Sequence, residues 1–278
     1  MVLFPPAKIN LGLRILRKRS DGYHDLSTVF YPIGLTDVLE ILPGTGTESE
    51  LRVTGIVPPG GPDDNLCIKA WKLLKADFPQ LPPVYLHLHK NIPTGAGLGG
   101  GSADGAFALR GLNEKYNLGL SRAQLITYAA QLGSDCPFFI YNEPCSGEGR
   151  GEILSPLSLS LKGYHLVLVN PGIHISTKEA FAGVVPNQEV RPVAEILAQP
   201  IEQWQGELIN DFEASIFPNH PEIARIKQQL IDAGAVYASM SGSGSTVYGI
   251  FKQDPGQLEF PADYFYVEGR APFGLLRV

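Results

Sequence analysis

Cysteine is scarce in this chain. Cys67, Cys136 and Cys145 are odd in number, widely spaced and form no Cys-x-x-Cys pair. That pattern excludes a disulfide framework, argues against a zinc site and fits a reducing cytoplasm with buried or half-buried thiols. Positive charge is also short. The formal net charge is −6, which gives no electrostatic case for nucleic acid or an anionic membrane, so any phosphate site must be local. No apolar run approaches the ~20 residues of a membrane span. The N-terminus has no basic region followed by an apolar core and a small-residue cleavage site, so no secretory signal is expected. Repeats and low-complexity tracts are missing as well. What remains is an ordinary globular profile, 44% apolar and 18% charged. Its 278 residues suffice for two modest domains or one large one.

Glycine, by contrast, is concentrated. Pro93–Ala103 reads Pro-Thr-Gly-Ala-Gly-Leu-Gly-Gly-Gly-Ser-Ala, with five glycines between positions 95 and 101. An alternating run, Val84–Leu88, precedes it and predicts a strand. A helix-forming stretch, Ser102–Asn113, follows. Glycine lets a backbone take positive φ and approach a ligand closely, and the free N–H groups of a helix start favour an anion. The stretch therefore reads as a nucleotide phosphate cradle. A dinucleotide fingerprint fits poorly. Gly95, Gly97 and Gly100 satisfy G-x-G-x-x-G, but an acidic residue after a second strand is missing about 20 residues on. No Gly-Lys-Ser/Thr follows either, which excludes a P-loop.

Ala7–Leu16 alternates strictly, placing Lys8 and Asn10 on one strand face; a solvated outer face is the plainer reading of that lysine. Arg17–Gly22 ends in Asp-Gly, a hairpin signal, and Tyr23 and His24 open the return strand through Thr28–Ile33. Asp63 or Asp64 is expected to cap a helix carrying Leu66, Ala70, Leu73 and Leu74. His87 and His89 share a strand face and read as surface or packing residues rather than a metal pair. Ser121 and Gln124 form a capping box for a helix that ends at Gly133. Asp135 follows as a junction residue, then Phe138–Tyr141 as an apolar strand. Gly147–Gly151 reads as a tight return with a domain boundary just after it. Tyr164–Val169 reads as a buried strand, and Ser176–Phe181 as a helix start capped by Ser176 or Thr177. Asn219 is expected to cap Pro221–Ala233, with Ile223, Ile226 and Leu230 inward and Gly234 as the stop. Ala238–Ser245 is a second small-residue loop, either another anion-facing nest or a turn, before a strand over Thr246–Phe251. The tail from Asp254 gives no functional signal.

Several of these stretches together resemble one family. Pro93–Ser102 resembles the second motif of the GHMP kinases, Ala7-Lys8-Ile9-Asn10-Leu11 the first, and Met240–Gly244 the third. Asp21–His24, Gly133–Phe139 and Asn210–Glu213 resemble the branch whose acceptor carries a cytidine diphosphate. The likeness covers most of residues 5–151 and the blocks 164–181 and 208–251.

The resemblance implies an α+β, two-domain GHMP kinase fold. A ribosomal protein S5 domain 2-like N-terminal domain would span 1–153 and bind ATP, and a ferredoxin-like C-terminal domain would span 154–278. It implies ATP as phosphoryl donor, Mg²⁺ with it, and the 2-hydroxyl of the methylerythritol part of a diphosphocytidyl substrate as acceptor. By position, Lys8 and Asp135 would be the catalytic pair. ATP would lie against Pro93, Thr94, Gly95, Ala96, Gly97, Leu98, Gly99, Gly100, Gly101, Ser102 and Ala103. Asn10 would position the substrate, Tyr23 would stack on the cytosine and His24 would hydrogen-bond it, with Thr177 and Phe181 completing that side. No metal ligand is assigned, because Gly100-Gly101 stands where other GHMP kinases carry serine and Ala103 replaces a further serine. A monomer or homodimer in the cytoplasm, with a small-molecule partner and neither nucleic acid nor membrane, is the expected setting.

Overall fold

The computed structural model describes residues 1–188 and 190–271. In chain order the first elements are β1 (Val2–Leu3), β2 (Pro6–Lys18), β3 (His24–Thr36), β4 (Val38–Pro43) and β5 (Glu50–Gly55). Then come α1 (Leu66–Asp77), β6 (Val84–Lys90), α2 (Gly100–Lys115), α3 (Arg122–Leu132) and α4 (Cys136–Tyr141). β7 (Cys145–Glu148), β8 (Ile153–Pro156), β9 (His165–Asn170), α5 (Thr177–Ala182), α6 (Val193–Leu197) and α7 (Phe212–Ile216) follow. The last are α8 (Pro221–Asp232), β10 (Tyr237–Met240), β11 (Val247–Phe251) and β12 (Phe265–Arg270). Helix and sheet are mixed along the chain, as expected.

These elements form two compact units, and neither is a single stretch of sequence. The first gathers Met1–Ala7, Leu35–Thr94 and Gly99–Glu143; the second gathers Lys8–Gly34, Gly95–Leu98 and the chain from Pro144 onward.

In the first unit a sheet of order β1-β4-β6-β5 has β5 parallel to β6 and its other pairs antiparallel. Helix α2 packs closely here. A Cβ on Gly111 would lie 2.6 Å from Ile41 Cδ1, and one on Gly105 would lie 2.8 Å from Leu66 Cβ. Glycine inside a helix costs about 0.5–1 kcal/mol relative to alanine. Here it removes a clash. The helix over α1 starts at Leu66 rather than at the aspartates: Asn65 Oδ1 accepts the Cys67 N–H at 2.9 Å. Asp63 and Asp64 sit in a preceding 3₁₀ turn, and Leu73 is only half-buried.

Phe138–Tyr141, expected as a strand, is the body of helix α4. A short apolar run does not distinguish strand from buried helix by periodicity. Pro137 in the first turn has its φ pre-set for a helix, and Asn142 closes it at φ 52°. The capping box of α3 is present as expected, with Ser121 N–H donating to Gln124 Oε1 at 2.9 Å. Thr54 Oγ1 bridges His87 and His89, and among the described residues no three metal-ligating side chains gather.

The second unit holds two sheets, ordered β2-β3-β7-β8 and β10-β11-β9-β12. The terminal residues Pro6, Ala7, Leu35 and Thr36 of β2 and β3 belong to the first unit. The second sheet is antiparallel throughout. Val167, Val169, Val247, Ala238 and Met240 share one of its faces and pack with Ile223, Ile226 and Leu230 of α8. That inward stripe of α8 was legible; its cap was not. His220 occupies the capping position without a side-chain bond, and Asn219 instead donates to the Ser215 carbonyl. Residues Ala238–Met240 are strand rather than loop, and Gly147 and Glu148 belong to β7, leaving the turn at 149–152. The tail contributes β12, which pairs with β9 along its whole length. Among the described residues no helix is long and apolar enough to cross a membrane.

Candidate active site

The glycine stretch is a loop between β6 and α2, as its composition predicts. Gly95, Gly97 and Gly99 all take positive φ, and Gly99 is the left-handed residue from which α2 starts. Two glycines are demanded by space. A Cβ on Gly97 would fall 2.0 Å from the Ser241 carbonyl oxygen. A Cβ on Gly100 would meet Ile92 Cγ2 at 2.8 Å and Lys90 Nζ at 3.2 Å, so a serine does not fit there. Gly101 faces open space.

Lys8 and Asn10 are both inside the second unit, at 4% and 2% exposure, so the solvated reading of their strand face is overturned. Lys8 Nζ donates to Asn10 Oδ1 at 2.6 Å and to the Gly97 carbonyl at 2.9 Å. Asn10 Nδ2 donates to Thr28 Oγ1 at 3.0 Å, and Asn10 N–H to Ser241 Oγ at 3.3 Å. Ser241 Oγ in turn donates to the Gly97 carbonyl at 2.9 Å. One loop carbonyl thus accepts from both a strand lysine and the second small-residue loop. That second loop, 241–246, is a brace. Asn210 Nδ2 donates to the Met240 and Gly242 carbonyls at 2.7 and 2.8 Å, and Thr246 N–H donates to the Ala96 carbonyl at 3.3 Å.

Asp135 lies in the first unit, half-buried at the residue before α4, without capping that helix. Cys136 follows it, and burial pushes this thiol up to about 12, against a hydrogen bond from Ser102 and with the Asp135 charge adding to the rise. The thiol stays protonated and is no nucleophile. Through it Ser102 and Asp135 share one neighbourhood. Pro93, Thr94 and Ala103 complete the loop ends, with Ala103 N–H donating to the Gly99 carbonyl at 2.9 Å.

The base of the loop holds a cluster that the sequence did not announce. Lys90 Nζ, at the end of β6, bonds Asp37 Oδ2 and, at 2.7 Å, Asp104 Oδ2. Asp37 Oδ1 also accepts the N–H groups of Asn91 and Ile92 at 2.6 and 2.9 Å. All three side chains are buried. Asp104 Oδ1 has no partner, and burial raises the Asp104 carboxyl well above the usual range despite Lys90.

Tyr23 sits at the tip of the β2–β3 turn, 56% exposed, with its N–H donated to Asp21 Oδ1 at 3.1 Å. His24 and Phe181 stack on each other, ring centroids 4.7 Å apart and planes at 17°. Phe181 meets Phe212 edge-on at 4.9 Å. No base fits between His24 and Phe181 as they stand. Thr177 is exposed at the first turn of α5, and Ser176, not Thr177, is the cap.

Known proteins resemble this chain over most of its length. GHMP kinases N terminal domain matches residues 65–143, and GHMP kinases C terminal matches 193–260. A 4-diphosphocytidyl-2-C-methyl-D-erythritol kinase of Bacteroides thetaiotaomicron is 52% identical over 91% of this chain and 93% of its own. One from Cytophaga hutchinsonii is 49% identical over 92% and 94%. This chain belongs to the 4-diphosphocytidyl-2-C-methyl-D-erythritol kinase family. A crystal structure of a 4-(cytidine 5'-diphospho)-2C-methyl-D-erythritol kinase superposes with TM-score 0.77 at 33% identity over 90% of both chains. Mevalonate kinase of Methanococcus jannaschii, at TM-score 0.67 and 15% identity, shares the fold alone.

For a 4-diphosphocytidyl-2-C-methyl-D-erythritol kinase the two-domain GHMP fold and ATP as donor follow from membership. The family motifs pointed to Lys8, Asn10 and the loop. They did not point to Asp37, Lys90, Asp104 or Thr28, whose partners are spread along the sequence. The one signal was a lysine ending an otherwise apolar-alternating strand five positions before Gly95.

Proposed function

We propose that this kinase transfers the γ-phosphoryl group of ATP to the 2-hydroxyl of 4-diphosphocytidyl-2-C-methyl-D-erythritol, in the non-mevalonate route to isoprenoid precursors. The observation that carries this is identity of about half, over nine-tenths of the chain, to kinases bearing that substrate's name. His24 stacks on Phe181 and follows the exposed Tyr23 in sequence, and the three supply aromatic surface for a pyrimidine. In this reading Tyr23 stacks on the cytosine, His24 hydrogen-bonds it, Phe181 backs His24, and Thr177 and Asn10 line the remaining substrate.

ATP lies against the loop 93–103, its phosphates facing the start of α2. Lys8 is held at the loop by the Gly97 carbonyl and offsets charge on the transferring group. Asp135 receives the acceptor proton. An alcohol holds its proton nearly as tightly as water and far more tightly than a carboxylic acid, so full deprotonation before attack is strongly uphill. Asp135 therefore orients the hydroxyl and takes the proton late, as the phosphoryl group passes through a loose transition state. Mg²⁺ arrives with ATP. Such an ion would keep most of its ligands as water and phosphate oxygens. Functionally we assign 1–153 to ATP binding and 154–278 to the second domain, in a cytoplasmic monomer or homodimer; the burial of all three cysteines supports a reducing compartment.

The test is coupled ADP release with Mg²⁺–ATP and, separately, the diphosphocytidyl substrate, mevalonate and homoserine. Turnover with the first alone is expected. Turnover with mevalonate or homoserine instead would keep the loop and discard the cytosine site.

A further inference from the structure

We propose that Arg150 is a positioning residue that sets substrate specificity: its guanidinium backs one face of the Tyr23 ring and presents the opposite face to the pyrimidine. The proposal rests on the reading of Tyr23 as the cytosine-stacking residue. The Arg150 guanidinium carbon lies 4.8 Å from the Tyr23 ring centroid. Tyr23 nevertheless stays 56% exposed, which a flat ring with one face covered achieves only when the other face is open. Its backbone is fixed by Asp21 and by the Arg19 N–H, which donates to the Tyr23 carbonyl at 2.8 Å.

Arg150 is itself held in place. It sits in the turn between β7 and β8, and the Leu26 N–H donates to the Gly149 carbonyl at 2.7 Å, tying that turn to the start of β3. Its Nε lies 3.6 Å from Glu152 Oε1. The neighbouring arginines are used differently. Arg19 pairs with Asp21 and Asp25 at 3.0 and 2.9 Å, and Arg17 pairs with Asp25. Arg150 alone among these three lies over the tyrosine ring. A planar guanidinium stacks on an aromatic face and is attracted to its electron-rich centre, whereas an ammonium does only the second. Fixing the ring beforehand lowers the ordering cost of binding. The expected stack is guanidinium, tyrosine, base.

The experiment compares Arg150→Met, Arg150→Lys and Tyr23→Ala in the ADP-release assay, with cytidine and cytidine diphosphate as competing probes. Arg150→Met is expected to raise KM for the diphosphocytidyl substrate about five- to ten-fold, with the effect on KM rather than kcat and none on KM for ATP. Arg150→Lys is expected to recover little, and both probes should weaken by the same factor. An unchanged KM in Arg150→Met beside a raised one in Tyr23→Ala overturns the proposal and leaves the tyrosine reading standing. Full recovery by lysine, or a loss confined to cytidine diphosphate, overturns it in favour of simple charge or a phosphate contact. An unchanged KM in Tyr23→Ala removes both readings together.

Discussion

Lys8 shows how a single side chain is fixed by its neighbours. It is buried beneath the glycine loop, donating to Asn10 and Gly97. Its place beside Asn10 was legible, because a period of two puts both on one face. Its burial was not, since the groups that cover it come from far along the chain; Ser241 reaches Gly97 across 144 positions. Lys8→Met should lower kcat about 10²- to 10³-fold through lost charge stabilisation. It also leaves the buried Asn10 Oδ1 without its lysine donor, so a stability loss of about 1–3 kcal/mol should appear in urea titration. Asp135→Asn should act differently. We expect kcat to fall by roughly 10²- to 10⁴-fold with little change in KM for ATP, measured in steady state. Near-normal turnover would take Asp135 out of the mechanism.

At the scale of elements, local chemistry was readable wherever it was self-contained. The box on α3 joins residues three apart and follows from the sequence, which narrows the cap of α5 to Ser176 or Thr177, and Ser176 fills it. Helix α4 did not, because six residues of continuous apolar character satisfy either secondary structure. The glycine loop was read as a cradle, but which of its glycines are obligatory is decided by packing. Gly97 combines φ 79° with a contact of 2.0 Å to a backbone oxygen, which cannot move out of the way as a side chain would. Gly97→Ala should therefore cost more than about 2 kcal/mol and raise KM for ATP. Gly101 has ordinary helical backbone and open space, so Gly101→Ala should be neutral or stabilising by about 0.5–1 kcal/mol. Thermal melting of the two variants side by side checks both; equal losses would mean that crowding by Ser241 is not what selects glycine.

At the scale of the whole molecule, the chain passes between its two units at residues 7, 34, 94, 98 and 143, so no composition shift marks a boundary. Such interleaving is invisible in sequence because it depends on pairings between distant strands. The same holds for the buried charges. Asp37, Lys90 and Asp104 combine two carboxyl groups with one ammonium, and only Asp37 has both oxygens hydrogen-bonded. Burial holds the Asp104 carboxyl well above its ordinary value, outweighing Lys90, while Asp37 adds to the rise. Burial alone would lower Lys90, but Asp104 and Asp37 raise it overall, so it stays charged across neutral pH. The consequence is a stability that depends on pH in a defined direction. Between about pH 4, where an unfolded aspartate releases its proton, and the higher folded value of Asp104, the native state holds one more proton than the unfolded chain. Within that window stability falls as pH rises, by up to ~1.4 kcal/mol per pH unit, and beyond both limits this contribution is flat. Asn is isosteric with the protonated acid and does not titrate. Asp104→Asn should thus match the parent near pH 4, then exceed it increasingly through the window, read as urea midpoints from pH 5 to 8. Parallel pH profiles for the two proteins would show that Asp104 is ionised in the native state and that Lys90 is shared between two negative charges.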